Sequence, residues 1–418
     1  MWTSGASWVD QQWLAQLLFY GLYALGGIKL VLLSHAALLT AAFATALAFA
    51  RLRGASEKSV CLLALLGMFA APWELQFRAQ TLGTLLFVWV AVLLLSDSRA
   101  PSRRVLLVLP LLALWANVHG TVVLGGLLAV ARGATIALGP REPHRRLRAG
   151  LLLLAPLCVL ASPYGTGVGG YYHRLLANPR MSRFVDEWRA SAPSASTALF
   201  YLLAFLAVWL VARLGHRLTR FEQLALGLTL VAGLWAIRSI AWFALVAMMV
   251  LPVTLDAALA SRPRRAALRH LRGRAGAAAA VVALSATGVA AAQPASWYVH
   301  RWPNNSIPAL RELSRSPATR VFANDRYADW ILWQVPELRG RIAYDIRFEL
   351  LGTRRFRVLY DYRSEIGDNW RRGAAGYGVL VFEPRAERKA WAAVRREPGA
   401  RVLYADRDIG LVARRPRP

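Results

Sequence analysis

Apolar runs close to 20 residues long recur from Ile28 to Ala292, and short loops between them carry most of the charge. A run of that length is what a helix needs to cross the hydrocarbon of a bilayer. With 56% of its 418 residues hydrophobic, the chain holds more apolar surface than a soluble fold of this size buries. The pattern changes at Gln293–Pro294. From Ser296 onward, charge is frequent and no long apolar run occurs. The expectation is an α-helical polytopic membrane domain over residues 1–295 and a small C-terminal α/β domain over 296–418. Ten spans are read, near 28–50, 60–77, 79–95, 105–118, 120–138, 149–161, 196–212, 221–236, 239–257 and 274–293.

The net charge of +28 raises the question of nucleic acid, and the distribution of the charge answers it. Up to Pro294 there are 27 Lys and Arg against 9 Asp and Glu, and most of the basic residues sit in loops. The remainder carries 24 basic and 14 acidic residues, scattered, with no basic stripe interleaved with aromatics. Alternate loops hold 20 basic residues, six of them arginines in 261–274, and the opposite loops hold 6. By the positive-inside rule the rich set faces the cytoplasm. The C-terminal domain and the N-terminus then lie outside the inner (plasma) membrane. The two cysteines, Cys61 and Cys158, fall in apolar segments and form no framework or metal cluster.

The basic loops read as plain charge. The opposite loops hold Asp10 with Gln11 and Gln12; Trp73, Glu74 and Arg78; Trp115, Asn117 and His119; Ser162, Pro163 and Tyr164; Asp186, Glu187 and Trp188; and Arg238 with Ser239. Polar groups at membrane depth are costly, so six such segments on one side point to a shared cleft. Each has a plainer reading. Asp10 serves equally as a solvated interfacial acid, Glu74 and Arg78 as an i,i+4 ion pair, and Asn117 and His119 as end caps. Pro163–Tyr164–Gly165 reads as a turn, Asp186–Glu187–Trp188 as a cap and Arg238 as a snorkelling anchor. Ahead of the first span, 8–27 (WVDQQWLAQLLFYGLYALGG) reads as an amphipathic interfacial helix with Trp8, Trp13, Phe19, Tyr20 and Tyr23 at the interface.

These pieces, with FRAQTLG (77–83), LLALWANVHGTVVLG (111–125), ASPYGTG (161–167), VDEWRASAP (185–193), RSIAWFAL (238–245), RVFANDRYADWILWQVP (320–336) and RIAYDIR (341–347), resemble a bacterial group of GT-C-type membrane glycosyltransferases and their relatives. The resemblance covers nearly the whole chain. It implies a polyprenyl-phosphate-linked sugar as donor and an extracytoplasmic glycan or polymer as acceptor. It also implies an acidic residue in a first outer loop. Here that region holds only Asp10, so the rest of the family's acidic pattern lies upstream of Met1 or is lost in this branch. An outside N-terminus with no signal-like stretch before Ile28 leads to the expectation of a spanning helix encoded upstream of Met1, the alternative being that 8–27 itself inserts as a span.

Transfer from a lipid phosphate needs a carboxylate as general base and cations on the leaving phosphate. Asp10 fits the first role, with Asp186 or Glu187 as substitutes. Arg78 and Arg238 fit the second, with Glu74, Asn117, His119, Tyr164 and Trp188 around the substrate and Trp13, Trp115 and Trp188 as ring platforms. No cofactor is called for; a divalent metal is compatible, although no ligand spacing asks for one. Two other classes stay open: a transporter or flippase of lipid-linked glycans, and a non-catalytic scaffold.

In the C-terminal domain, strands are expected at 320–323, 341–344, 377–382, 402–404 and 409–412, and helices near 327–335, 352–363 and 385–396. Asn324, Asp325, Arg326, Asp345 and Arg347 fall at strand ends, where they line a crevice or merely cap and turn. No glycine fingerprint follows the first strand, so no nucleotide site is read.

Overall fold

The computed structural model describes residues 1–140, 144–176, 185–259, 287–300, 302–363 and 370–415, the side chains of 74, 75, 176, 186, 363 and 370 excepted. The chain divides into two compact units, Val9–Ala295 and Met1–Trp8 with Ser296–Pro418. The first eight residues thus belong with the C-terminal unit.

The larger unit is helical: α1 (Trp13–Leu52), α2 (Glu57–Ala70), α3 (Gln80–Arg99), α4 (Val108–Trp115), α5 (Val122–Leu138), α6 (Arg145–Leu153), α7 (Gly167–Leu176), α8 (Ala198–Leu214), α9 (Arg220–Trp235) and α10 (Ile240–Ala258). Among the described residues, four are long and apolar enough to cross a membrane: α1, α3, α8 with its flanking turns, and α10 with the turn before it. They mark the chain as membrane-embedded. Of the other expected spans, those within the described residues are shorter. The reason is visible at 149–161, where α6 gives way to a 3-10 turn over Ala155–Leu160 with Pro156 in its first positions. Proline has no N–H to continue the ladder. The last expected span, 274–293, and the loop 261–274 lie almost wholly outside the described residues.

α10 is apolar on every face, and every residue from Ile240 to Pro252 is buried. A helix of that kind belongs at the centre of a bundle. Around it pack α1, α2, α8 and α9; α3 reaches it through Phe87, whose ring lies 4.9 Å from that of Trp242.

The expected junction between interfacial helix and first span appears as a break inside α1. Gly27 has φ +62° and ψ −162°, a backbone state that side chains do not tolerate. The helix begins at Trp13 rather than at Trp8, since Asp10 turns the chain into it: the Trp13 N–H donates to the Asp10 carbonyl at 3.3 Å. Before the break, Leu17, Leu18, Tyr20, Tyr23 and Leu25 are exposed, as an interfacial helix requires.

The two ends of the bundle are distinguished by what ties them. At one end Glu222, fully buried, receives Arg53 at 2.5 Å and Arg99 at 2.7 Å. Its other bond, from the Thr219 N–H at 2.9 Å, closes a capping box at the start of α9. Asp97 binds Arg132 at 2.9 Å and also Arg148, with all three side chains buried. Asp256 accepts from the Ser56 N–H and the Ser59 hydroxyl, fixing the start of α2. The basic loops are therefore more than plain charge, as four of their arginines are locked to buried carboxylates. Gln80 begins α3 and Arg99 ends it, a separation of roughly 30 Å at 1.5 Å per residue. Everything bonded near Gln80 is a helix length away from Asp97 and Glu222.

The smaller unit holds a four-stranded sheet in the order β1-β2-β4-β3, with β1 (Val321–Ala323) parallel to β2 (Val379–Phe382) and β4 (Gly410–Ala413) antiparallel to both β2 and β3 (Arg401–Ala405). Between β1 and β2 lie α11 (Asp325–Gln334) and α12 (Thr353–Arg363); α13 (Arg388–Arg395) follows β2. The expected strand at 341–344 is reduced to one parallel bridge, Val321 to Ile342. Its continuation is taken up elsewhere. The Trp2 N–H donates to the Ala343 carbonyl at 2.6 Å, and the Trp2 ring stacks on Tyr344 at 5.3 Å.

Candidate functional site

The connection 116–121 between α4 and α5 organises the end of the bundle remote from Glu222. Asn117 works there as a strut. Its Oδ1 accepts from the Trp13 indole at 2.9 Å, and its Nδ2 donates to the carbonyls of Ala113 at 2.9 Å and Ala161 at 2.6 Å. Gln11, buried, donates to the Ala116 carbonyl at 2.9 Å, and the Tyr172 hydroxyl donates to the Gly120 carbonyl at 3.0 Å. Three distant stretches, at 11–13, 161 and 172, thus converge on six residues. Trp13 is held in orientation by Asn117. Asp10 stands beside it, accepting through Oδ1 from the Gln12 N–H and the Gln16 carboxamide, both at 3.1 Å.

Across the same connection stand the cations. Arg78 pairs with Glu187 at 2.6 Å and donates to the Gln76 carboxamide at 2.9 Å. The Arg238 guanidinium lies 4.8 Å above the Trp188 ring and donates to Gln80 Oε1 at 3.1 Å. Cation–π contact and the Gln80 carboxamide fix the direction of the guanidinium. The turns that carry Glu187–Trp188 and Arg238 are fastened to each other: the Ile237 N–H donates to the Arg189 carbonyl at 3.0 Å, and the Ser191 N–H to Leu234 at 3.1 Å.

His119 is buried at this place. Its pKa is pushed down to about 3, first by burial and then by the positive charges of Arg238 and Arg78. The His119 Nδ1 meets the Thr121 hydroxyl at 2.8 Å and accepts from the Thr121 N–H at 3.3 Å; with Nδ1 as acceptor in both, the neutral ring carries its proton on Nε2. A neutral N–H donor beside two guanidiniums suits an anion's oxygen.

Below the cations the lining turns apolar. The His35 ring bonds the Thr81 hydroxyl at 2.8 Å, one residue past Gln80. One turn further in, a small apolar pocket lies between α1, α2, α3 and α10, lined by Leu39, Phe43, Gly67, Thr84, Ala244 and Met248 among others.

Sequence reading named most of this cluster, and the structure brings Arg78, Glu187, Trp188, Arg238 and His119 together, with Asp10, Trp13 and Asn117 on the other flank of 116–121. Trp115 is corrected: it is fully buried against Phe87 and Trp242, at 6.2 and 6.3 Å, and offers no ring face to a ligand. Tyr164 lies in the turn ahead of α7, its carbonyl accepting from the Gly167 N–H at 2.9 Å. The side chains of Glu74 and Asp186 fall outside the described residues. Gln80 and His35 went unassigned. Gln80 stood in FRAQTLG beside Arg78, but nothing in one sequence says which arginine a glutamine meets 158 positions away. Among the described residues, no group of three or more His, Cys, Asp or Glu is placed to hold a metal.

In the smaller unit the strand-end polar groups are capping and paired. Asn324 caps α11 through the Tyr327 N–H at 3.0 Å and donates to Glu387 at 3.1 Å. Arg326 pairs with Glu383 at 2.7 Å, and Asp325 opens α11. Burial pushes Glu387 up to about 7. Arg347 grips Asp345 through two nitrogens and lies 4.8 Å over the Trp8 ring, whose indole donates to Glu349 at 3.3 Å. Asp329 is pushed up to about 6 by burial and then by the charge of Asp345.

No protein-family model matches this chain, and no curated protein matches it in sequence.

Proposed function

We propose that this chain is a multi-pass membrane protein of the GT-C glycosyltransferase kind. In this reading it takes a polyprenyl-phosphate-linked sugar at the end of the bundle remote from the arginine-rich loops and passes the sugar to an extracytoplasmic acceptor. One observation carries the reading: two oriented guanidiniums and a buried imidazole gather at one end of the bundle, and a small apolar pocket begins about one helical turn along α3 and α10 from Gln80 and Arg238. An anionic head on a hydrocarbon tail is the ligand that such a gradient fits.

The chemistry follows from the groups present. Asp10 takes the proton of the acceptor hydroxyl as its oxygen attacks the anomeric carbon. The bond from that carbon to the phosphate oxygen breaks, and the lipid phosphate leaves with the electron pair. Arg78, Arg238 and His119 Nε2–H receive the growing charge on the phosphate, and Trp13 and Trp188 offer ring faces to the sugars.

The test is release of polyprenyl phosphate from a polyprenyl-phosphate sugar by the purified full chain. Arg238→Ala is expected to lower the rate by roughly 10²–10³-fold, the scale for removing one donor from developing negative charge. An unchanged rate in that variant would remove the phosphate assignment. Donor binding without any turnover by the wild type would favour a lipid-linked glycan carrier or scaffold.

A further inference from the structure

We infer that the turn joining α8 to α9 binds the headgroup of one anionic phospholipid through Arg213, Arg217 and Arg220. The inference stands apart from the glycosyltransferase reading and needs only that the bundle is membrane-embedded.

α8 turns an apolar stripe outward. Leu202, Phe205 and Trp209 are exposed and recur at three- and four-residue spacing, so they share one face of the helix. Arg213 continues that stripe one turn beyond Trp209, and its guanidinium lies 5.8 Å from the Trp209 ring. Tryptophan sits at headgroup level, and an arginine beside it lays its stem along the helix with the charge at the surface. The lipid-facing stripe therefore ends at Arg213, and Gly215–Arg217 turns the chain at the depth of the lipid phosphates.

The turn is held from several sides. The Gly215 carbonyl accepts from the Leu218 N–H at 3.0 Å and from the Gln223 carboxamide at 2.8 Å. The Arg217 carbonyl accepts from Arg99 at 3.1 Å, and Thr219 with Glu222 closes the capping box of α9. This fixed backbone presents Arg213, Arg217 and Arg220, all exposed. Their charge is not matched. No Asp or Glu occurs between Glu187 and Glu222, and Glu222 is buried beneath Arg53 and Arg99. Among the described residues, none of the three guanidiniums pairs with a carboxylate. Elsewhere at this end many arginines are matched: Arg51 by Glu57, and Arg132 and Arg148 by Asp97. Guanidiniums suit a phosphate diester, whose oxygens accept two N–H bonds from one fork. A zwitterionic headgroup would bring a cation of its own into a cluster of three, so the site selects lipids of net negative charge.

The experiment counts lipids retained by the full chain in detergent, by native mass spectrometry, after titration with phosphatidylglycerol or phosphatidylcholine. The wild type is expected to hold one phosphatidylglycerol more than about tenfold more tightly than phosphatidylcholine. Each arginine near an anionic headgroup contributes about fivefold, so Arg213→Gln with Arg217→Gln and Arg220→Gln should weaken that lipid by about 10²-fold. Arg103→Gln with Arg104→Gln and Arg146→Gln removes equal charge from other exposed positions and should weaken it by less than about threefold, because distant exposed charges are screened. Equal weakening by the two triple variants would reduce the effect to diffuse attraction and overturn the inference. Equal affinity of the wild type for both lipids would overturn it as well. If the triple variant does not fold, Arg217→Gln alone decides, since only the carbonyl of that residue is engaged in the turn. A loss of about fivefold supports the site, and one below about twofold overturns it.

Discussion

Replacing Asp97 with alanine is expected to remove about 3–5 kcal/mol of stability, the cost of stranding a buried charge whose partner is deleted. Two buried guanidiniums lose a shared carboxylate here. Arg132 and Arg148 have 4% and 0% of their side chains exposed, and both end on Asp97. They come from α5 and α6, so the carboxylate ties three helices at one point. The neighbouring residues of α3 add to the effect. Ser98 accepts from the Thr219 hydroxyl at 3.0 Å and Arg99 binds Glu222, so three consecutive positions each hold a different contact at this end. The control is Glu57→Ala, which breaks the pair with Arg51 at 3.4 Å, where both side chains are nearly half exposed. Its expected cost is about 0–1 kcal/mol. Thermal unfolding in one detergent compares the two. Equal midpoints would mean that the Asp97 cluster does not hold the helices.

Asp10→Asn is expected to lower turnover by about 10²–10⁴-fold, the usual contribution of a general base, with donor affinity retained. Asparagine keeps an oxygen for the Gln16 carboxamide and for the Gln12 N–H, so the entry into α1 survives. What is lost is the ability to take a proton. Glu187 is the natural comparison. Its carboxylate is engaged by Arg78 at 2.6 Å, which suits positioning the cation rather than accepting a proton. Glu187→Gln should therefore change donor affinity more than turnover. If instead Glu187→Gln stops turnover and Asp10→Asn does not, the base is Glu187.

The legible part of the fold was local. Apolar runs and proline turns mark helix bodies and their ends, because each acts on its own few residues. The strands of the smaller unit were readable for the same reason, apart from 341–344, whose edge is covered by the first residues of the chain. The site was legible as a list of polar groups left on one side. The long-range partners were not. Arg53 and Glu222 are 169 positions apart and Arg78 and Glu187 are 109 apart, and a charge in a loop looks the same in sequence whether solvated or buried. Trp115 misled because tryptophan at a span end suits both a ring platform and a core.

The central claim is that the arginine-rich loops and the Asp10–Glu187–Arg238 cluster face opposite sides of the membrane, with the cluster outside. Single cysteines at exposed positions test it: Arg146→Cys and Arg189→Cys in a chain whose Cys61 and Cys158 are replaced by alanine. With a membrane-impermeant maleimide on intact cells, the cysteine at 189 is expected to label at once and the one at 146 only after permeabilisation. Labelling of both from the same side would contradict the claim and dissolve the site built on it.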